Sequence, residues 1–247
     1  MGAMLETRGL TMRFGGVVAV DSVDFAINEG ELRCLIGPNG AGKSTFFKCL
    51  TGQYKPSAGT ILIRGEDVTG QDSFRIARKG VGIKTQVPSL FDGLSVRESV
   101  VLAARRKHGG TIAARRAREV LERIGIAELE GAIIGRLAHG QRQLVELATV
   151  VAAEPDLIIL DEPTAGMTAE ETGRTAALIR DLNERHAIVV VEHDMQFIRS
   201  IAKTVTVLHQ GRVLIEDTVE VVLSDPTVRD VYLGKEAAAP ARKAVPA

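Results

Sequence analysis

The chain has 247 residues, 45% of them hydrophobic and 25% charged, and its 31 basic and 31 acidic side chains leave a formal net charge of zero. That length supports a large buried core, the composition excludes disorder as the main state, and the charge balance excludes a general nucleic-acid-binding chain. Cys34 and Cys49 lie in apolar-flanked segments without C-x-x-C spacing, so neither a disulfide framework nor a zinc knuckle is expected and the compartment reads as reducing. The most apolar runs, Leu157 to Leu160 and Ile188 to Val191, fall far short of the roughly 20 residues that cross a bilayer. No charged segment followed by an apolar run opens the chain, so no secretory signal is expected.

In chain order, alternating apolar positions at Val18 and Val20, then Val23, Phe25 and Ile27, predict two half-buried strands around a turn at Asp21-Ser22. Leu32 to Ile36 reads as a central strand, and Thr60 to Ile63, Val81 to Ile83, Leu157 to Leu160, Ala187 to Val191 and Val205 to Leu208 repeat its short, β-branched character. Helical patterns fall between several of them: Lys43 to Leu50, Thr168 to Asn183 opened by a Thr168/Glu171 capping box, and Asp194 to Ala202. This alternation predicts a parallel sheet covered on both faces. The middle differs, because Ser95 to Arg106 (capped by Ser95 and Glu98), Ile112 to Ile124 and Gln141 to Ala153 are helical patterns with almost no strand signal between them. An all-helical lobe inserted in an α/β core follows. Its Arg-rich stretches, Arg105 to Lys107 and Arg115, Arg116 and Arg118, read as solvated helix faces. Lys235 to Ala247 is Ala- and Pro-rich and is expected to fray.

The most specific segment is Gly37-Pro38-Asn39-Gly40-Ala41-Gly42-Lys43-Ser44-Thr45, which satisfies G-x-x-x-x-G-K-[ST] directly after a strand and directly before a helix. Glycines let the backbone curl with its N–H groups inward, so a polyphosphate meets several donors and the positive end of the next helix. Lys43 adds a point charge for the β- and γ-phosphates, and Ser44 offers a hydroxyl to Mg²⁺. A second carboxylate source is needed for metal and water. Asp161 and Glu162, at the end of the strand Leu157 to Leu160, supply it: Asp161 toward the metal shell, Glu162 to orient or deprotonate an attacking water. His193 ends the strand Ala187 to Val191 on what should be the same sheet edge, where it can sense the γ-phosphate. Gln86, just beyond the strand Val81 to Ile83, is by the same argument an uncharged metal or water contact. No metal spacing surrounds His193 or His139, so a zinc site is not expected.

The order and spacing of Gly37 to Thr45, Gln86, Leu137-Ala138-His139-Gly140-Gln141, Leu160-Asp161-Glu162-Pro163 and His193 resemble those of ATP-binding cassette ATPases over about residues 5 to 233. The resemblance implies an α/β fold: a P-loop NTPase core with a mostly parallel sheet, an N-terminal antiparallel β subdomain and the inserted helical lobe. It implies one cassette domain over 4–234 (core 4–86 and 154–217, lobe 87–153, C-terminal helical extension 218–234), with a disordered tail at 235–247. It also implies ATP and Mg²⁺ as ligands, adenine stacked on Phe14, and Ser44, Gln86 and Asp161 around the metal. Glu162, His193 and Gln86 become the catalytic set. Leu137, Ala138, His139, Gly140 and Gln141 become the signature segment, which addresses the γ-phosphate held by a second cassette, the same chain or a sister, in head-to-tail arrangement. The implied partners are that second cassette, transmembrane permease subunits and, indirectly, a solute-binding protein, with no nucleic acid. The implied place is cytoplasmic, on the inner face of the plasma membrane, with a short permease helix received by a groove at Gln86, Val87, Leu90, Phe91 and Leu94.

Two departures stand out. The signature of this family usually reads Leu-Ser-Gly-Gly-Gln, so Ala138 lacks the usual hydroxyl and His139 replaces a glycine, from which a replacement donor could come. Thr164-Ala165-Gly166-Met167-Thr168 departs from the commoner Ser-Ala-Leu-Asp and is similar to the form found in importers of branched-chain amino acids, urea and short amides. Met12 to Gly16, Glu192 to Met195 and Val231 to Gly234 resemble the same subfamily, and the His139-Gly140-Gln141 signature its urea-type member. ATP hydrolysis driving uptake through a separate permease is the function implied. A soluble cassette ATPase, or an ATP-dependent binding switch with little hydrolysis, remains the alternative.

Overall fold

A computed structural model describes the chain from residue 3 to residue 232. Strands β1 (Ala3–Phe14) and β2 (Val17–Asn28) form an antiparallel hairpin, and β4 (Ala58–Ile63) and β5 (Glu66–Asp67) extend it to a sheet of order β2-β1-β4-β5. The turn expected at Asp21-Ser22 is not a turn. β2 runs through it as one strand, with Ser22 in the left-handed region at φ 51° and the register against β1 irregular on either side of Leu10. The amide of Asp21 is donated to the Gly211 carbonyl (2.8 Å), so the kink ties this sheet to the second one.

The second sheet has the order β10-β9-β3-β8-β7-β6, built from β3 (Leu32–Ile36), β6 (Val81–Lys84), β7 (Leu157–Asp161), β8 (Ala187–Val191), β9 (Thr204–His209) and β10 (Arg212–Thr218). Every pairing in it is parallel except the edge hairpin β9–β10. Its strands are apolar at successive positions because both faces are covered. Cys34, Ile158, Leu160, Ile188 and Val190 point into one hydrophobic cluster, while their neighbours Leu35, Leu157, Ile159, Val189 and Val191 point into another shared with the antiparallel sheet. The period-2 geometry of a strand thus sorts one apolar run onto two cores.

Helices α1 (Lys43–Leu50), α2 (Ser73–Arg78), α6 (Ala169–Asn183), α7 (Met195–Ile201), α8 (Val219–Ser224) and α9 (Pro226–Tyr232) flank the sheets. The middle of the chain is helical, as the pattern predicts: α3 (Val96–Ala104), α4 (Gly110–Ile124) and α5 (His139–Ala152). Ser95 and Glu98 close a full capping box on α3, and Thr168 and Glu171 do the same for α6. Helix α5 buries Gln143, Val145, Glu146, Leu147, Ala148, Val150 and Val151, while Leu144 is only partly buried. The Arg-rich stretches divide. Arg115 and Arg118 form surface i,i+4 pairs with Glu119 and Glu122, whereas Arg106 and Lys107 donate to the carbonyls of Ala77 and Glu154 and tie the helices to the core. The fraying expected of 235–247, and Leu233 and Gly234 of the C-terminal motif, lie outside the described residues.

Candidate functional site

The phosphate loop leaves β3 at Ile36 and enters α1 at Lys43. Two of its glycines answer to space as well as to conformation. A Cβ at Gly37 would lie 2.2 Å from the Leu208 carbonyl oxygen, and one at Gly42 (φ 100°) would lie 2.3 Å from that of Ala19. The loop is also pinned from the β9–β10 turn by the Gly211 amide on the Ala41 carbonyl (3.0 Å). Gly42 caps α1 without a side-chain hydrogen bond, so the first-turn amides present donors to an anion. Lys43 is buried and turns back over the loop, its Nζ donating to the carbonyls of Gly37 (2.6 Å) and Pro38 (3.1 Å). Burial pulls its pKa down, while Glu162 and Asp161 oppose that shift. Ser44 stands exposed at the start of α1, Pro38 and Thr45 are half-buried, and Asn39 and Gly40 form the exposed rim.

Asp161 and Glu162 follow one another at the end of β7 and do not share an environment. Burial, then the neighbouring Glu162 carboxylate, push Asp161 up to about 6, against partial relief from Lys84 and Lys48. Glu162 sits in the left-handed region at φ 43°, rare for a non-glycine residue and common where backbone strain serves a site. Its carboxylate accepts from Gln86 Nε2 (2.7 Å), and His193 Nδ1 lies 3.3 Å away. The three expected catalytic residues, from three separate strand ends, therefore meet in one cluster. Behind His193, buried Glu192 accepts the His193 amide (2.7 Å) and the Thr164 hydroxyl (2.5 Å), fixing the turn between β8 and α7.

Phe14 is 43% exposed, at the tip of the β1–β2 hairpin, and meets Tyr54 edge-on at 5.4 Å, so it is not a core residue. Leu137 to Gln141 open α5, which begins at His139 and not at Gln141 as expected. Ala138 is the N-cap. Only half of a capping box exists, because the Gln141 side chain accepts the Ala138 amide (3.0 Å) while Ala138 offers no oxygen in return. Among the described residues no hydrogen bond or ion pair joins Leu137–Gln141 to Gly37–Thr45.

Sequence reasoning missed a buried polar group behind this site. Lys84 and Glu146, both almost fully buried, face each other at 3.9 Å, and Glu146 accepts the Ser89 amide (2.9 Å) and the Thr85 hydroxyl (3.3 Å). Fully buried Gln143 donates to the Gln86 carbonyl (3.0 Å). No local signal marks them, since Gln143 and Glu146 stand three apart on α5 near polar Gln141, Arg142 and Thr149 and read as part of a polar face. Beside them a cleft of about 680 Å³ runs from Asp161 past Gln86 to Val87. In the expected permease groove Val87 and Phe91 are 77% and 70% exposed, whereas Leu90 and Leu94 pack against the core.

Residues 20–165 match the ABC transporter family. The chain belongs to that family. The cassette is 37% identical to the high-affinity branched-chain amino acid transport ATP-binding protein BraF of Pseudomonas aeruginosa, over 94% of this chain and 98% of that one. It is 36% identical, with the same coverage, to the corresponding protein LivG of Escherichia coli. Its fold matches the ADP-bound ATP-binding cassette MJ1267 with a TM-score of 0.84 at 24% identity, over 95% of this chain. A dimeric post-hydrolysis structure of the cassette MJ0796 with ADP and phosphate matches with a TM-score of 0.79 at 26% identity, over 87% of this chain. The chain is thus an ATP-binding cassette ATPase. Among the described residues no helix is long and apolar enough to cross a membrane.

Proposed function

We propose that the cassette is the motor subunit of an importer, in which two cassettes close on two ATP molecules, pull on the cytoplasmic loops of a permease and reopen after hydrolysis. The observation that carries this reading is the meeting of Gln86, Glu162 and His193 beside a complete phosphate loop. The loop residues Gly37 to Thr45 bind the triphosphate through backbone amides and Lys43, and Phe14 stacks on adenine, a contact worth about 1–3 kcal/mol per base. Leu137 to Gln141 find no polar contact with the loop of their own chain, which supports their serving the nucleotide of a second cassette. The second cassette is a copy of this chain or a close relative.

The donor set fits Mg²⁺, which takes few protein oxygens and keeps phosphate and water ligands. Ser44 Oγ, Gln86 and Asp161 would hold it, and a cation would offset the burial and the neighbouring Glu162 charge that raise Asp161. Bound there, the metal would offset charge on the phosphate oxygens. Glu162 accepts the proton of the attacking water, and His193, held by Glu192, keeps that carboxylate aimed. The cargo assignment follows the transport proteins BraF and LivG toward branched-chain amino acids, with urea and short amides kept in view by the His139-Gly140-Gln141 signature. Permease and solute-binding chains choose the cargo, and the exposed Val87 and Phe91 dock the permease at the cytoplasmic face of the plasma membrane. Glu162→Gln should lower steady-state phosphate release by about 10²–10⁴-fold, the worth of a general base. Unchanged release would remove Glu162 from that role.

A further inference from the structure

Both departures from the usual family pattern, His139 in the signature and Gly166 after Pro163, are neighbours in space. A methyl group built on Gly166 (φ 74°) would come within 3.1 Å of His139 Cδ2 and 3.6 Å of its Nε2, so the glycine leaves room for the imidazole. On its other side, His139 Nε2 lies 3.2 Å from the amide nitrogen of Gln143, one turn along α5. The orientation of that amide is decided elsewhere. Gln143 is fully buried and its Nε2 faces the Gln86 carbonyl at 3.0 Å; the flipped amide would set two acceptor oxygens against each other. With Nε2 as the donor, its second hydrogen points at His139, whose Nε2 must then accept. A neutral imidazole accepting at Nε2 carries its proton on Nδ1. Gln86 in turn donates to Glu162 at 2.7 Å. One path of contacts therefore runs from Gly166 through His139, Gln143 and Gln86 to the catalytic carboxylate.

We propose that Gly166 and Gln143 are positioning residues for His139, Gly166 by receiving the ring and Gln143 by holding it as the Nδ1–H tautomer. The signature then presents a neutral N–H donor of set orientation in place of the hydroxyl absent at Ala138, and Gln143 couples that donor to Gln86. The two departures are in this sense a single one, because a side chain at 166 would crowd the imidazole. The proposal rests on the two-cassette reading only for its effect on turnover, and its first test does not need that reading. The imidazole nitrogen shifts of His139 in the nucleotide-free chain, read by NMR near pH 8 where histidine is neutral, should place the proton on Nδ1, and Gln143→Leu should abolish that preference. A proton on Nε2, or a tautomer indifferent to Gln143, would overturn the proposal.

The second test is a double-mutant cycle on turnover at saturating ATP. Gly166→Ala should lower turnover about fivefold or more in the wild-type background, and less than about twofold in a His139→Gly background. Backbone strain from a side chain at this φ is common to both and cancels. Equal losses in the two backgrounds would show that Gly166 serves the backbone alone and would reject the pairing. Should the chain hydrolyse ATP without pairing, the two-cassette reading fails on its own, and the tautomer result still decides the roles of Gly166 and Gln143.

Discussion

Asp161 is a carboxyl raised by burial and Lys43 an ammonium lowered by it, each shifted toward its neutral form. A carboxyl raised to about 6 holds a proton in the folded chain between about pH 4 and 6, where the unfolded one does not. Its contribution therefore favours the fold on the acid side and is lost as the pH rises through about 6. A divalent cation must displace that proton, so Mg·ATP affinity should weaken as the pH falls below about 6, and the slope should shrink in Asp161→Asn. Titration calorimetry on both chains checks this, since the nucleotide's own titration is common to the two; equal slopes would contradict the assignment. Lys43→Ala should weaken nucleotide binding sharply, and wild-type affinity would count against the cradle. At Ala138 the missing half of the capping box predicts that Ala138→Ser gains roughly 0.5–2 kcal/mol, the usual worth of an N-cap hydroxyl, in denaturant unfolding. An unchanged midpoint would mean that the cap is not limiting.

Helix α5 places the signature at its first turn and buries Gln143 and Glu146 against the segment Thr85 to Ser89. Burial lowers the pKa of Lys84 and raises that of Glu146, so each needs the other to stay charged. Removing one partner of such a pair typically costs about 3–5 kcal/mol. Lys84→Met should therefore lower the unfolding free energy by several kcal/mol, and a loss below about 1 kcal/mol would show that the pair is not coupled. These contacts were beyond reach of periodicity, which reads Gln143 and Glu146 as a solvent-facing stripe; their partners lie 57 residues away in the chain. The bulge at Ser22 misled for the opposite reason. A local left-handed residue with a polar neighbour carries the signal of a turn, and only the pairing with β1 shows one strand continuing through it. Where the determinants are local, as in the capping boxes at Ser95 and Thr168 and the short apolar strands, sequence and structure agree to within a residue or two.

At the scale of the whole molecule, the phosphate loop was legible because nine consecutive residues specify it, and Glu162, His193 and Gln86 because each ends a strand of one parallel sheet. The parallel order then brings three distant segments to a single edge, as such sheets do at their carboxyl ends. Among the described residues no hydrogen bond or ion pair joins Leu137–Gln141 to the phosphate loop of the same chain, and the proposed working pocket accordingly needs two cassettes. Binding linked to association makes the pair depend on ligand and on concentration. Sedimentation velocity of Glu162→Gln, in which ATP stays intact, tests it most directly. With Mg·ATP the account predicts a species of twice the chain's mass, alone or with a sister cassette, that returns to a single chain when the nucleotide is removed. A chain that stays monomeric in saturating Mg·ATP while the wild type hydrolyses at a rate per subunit independent of concentration would contradict it.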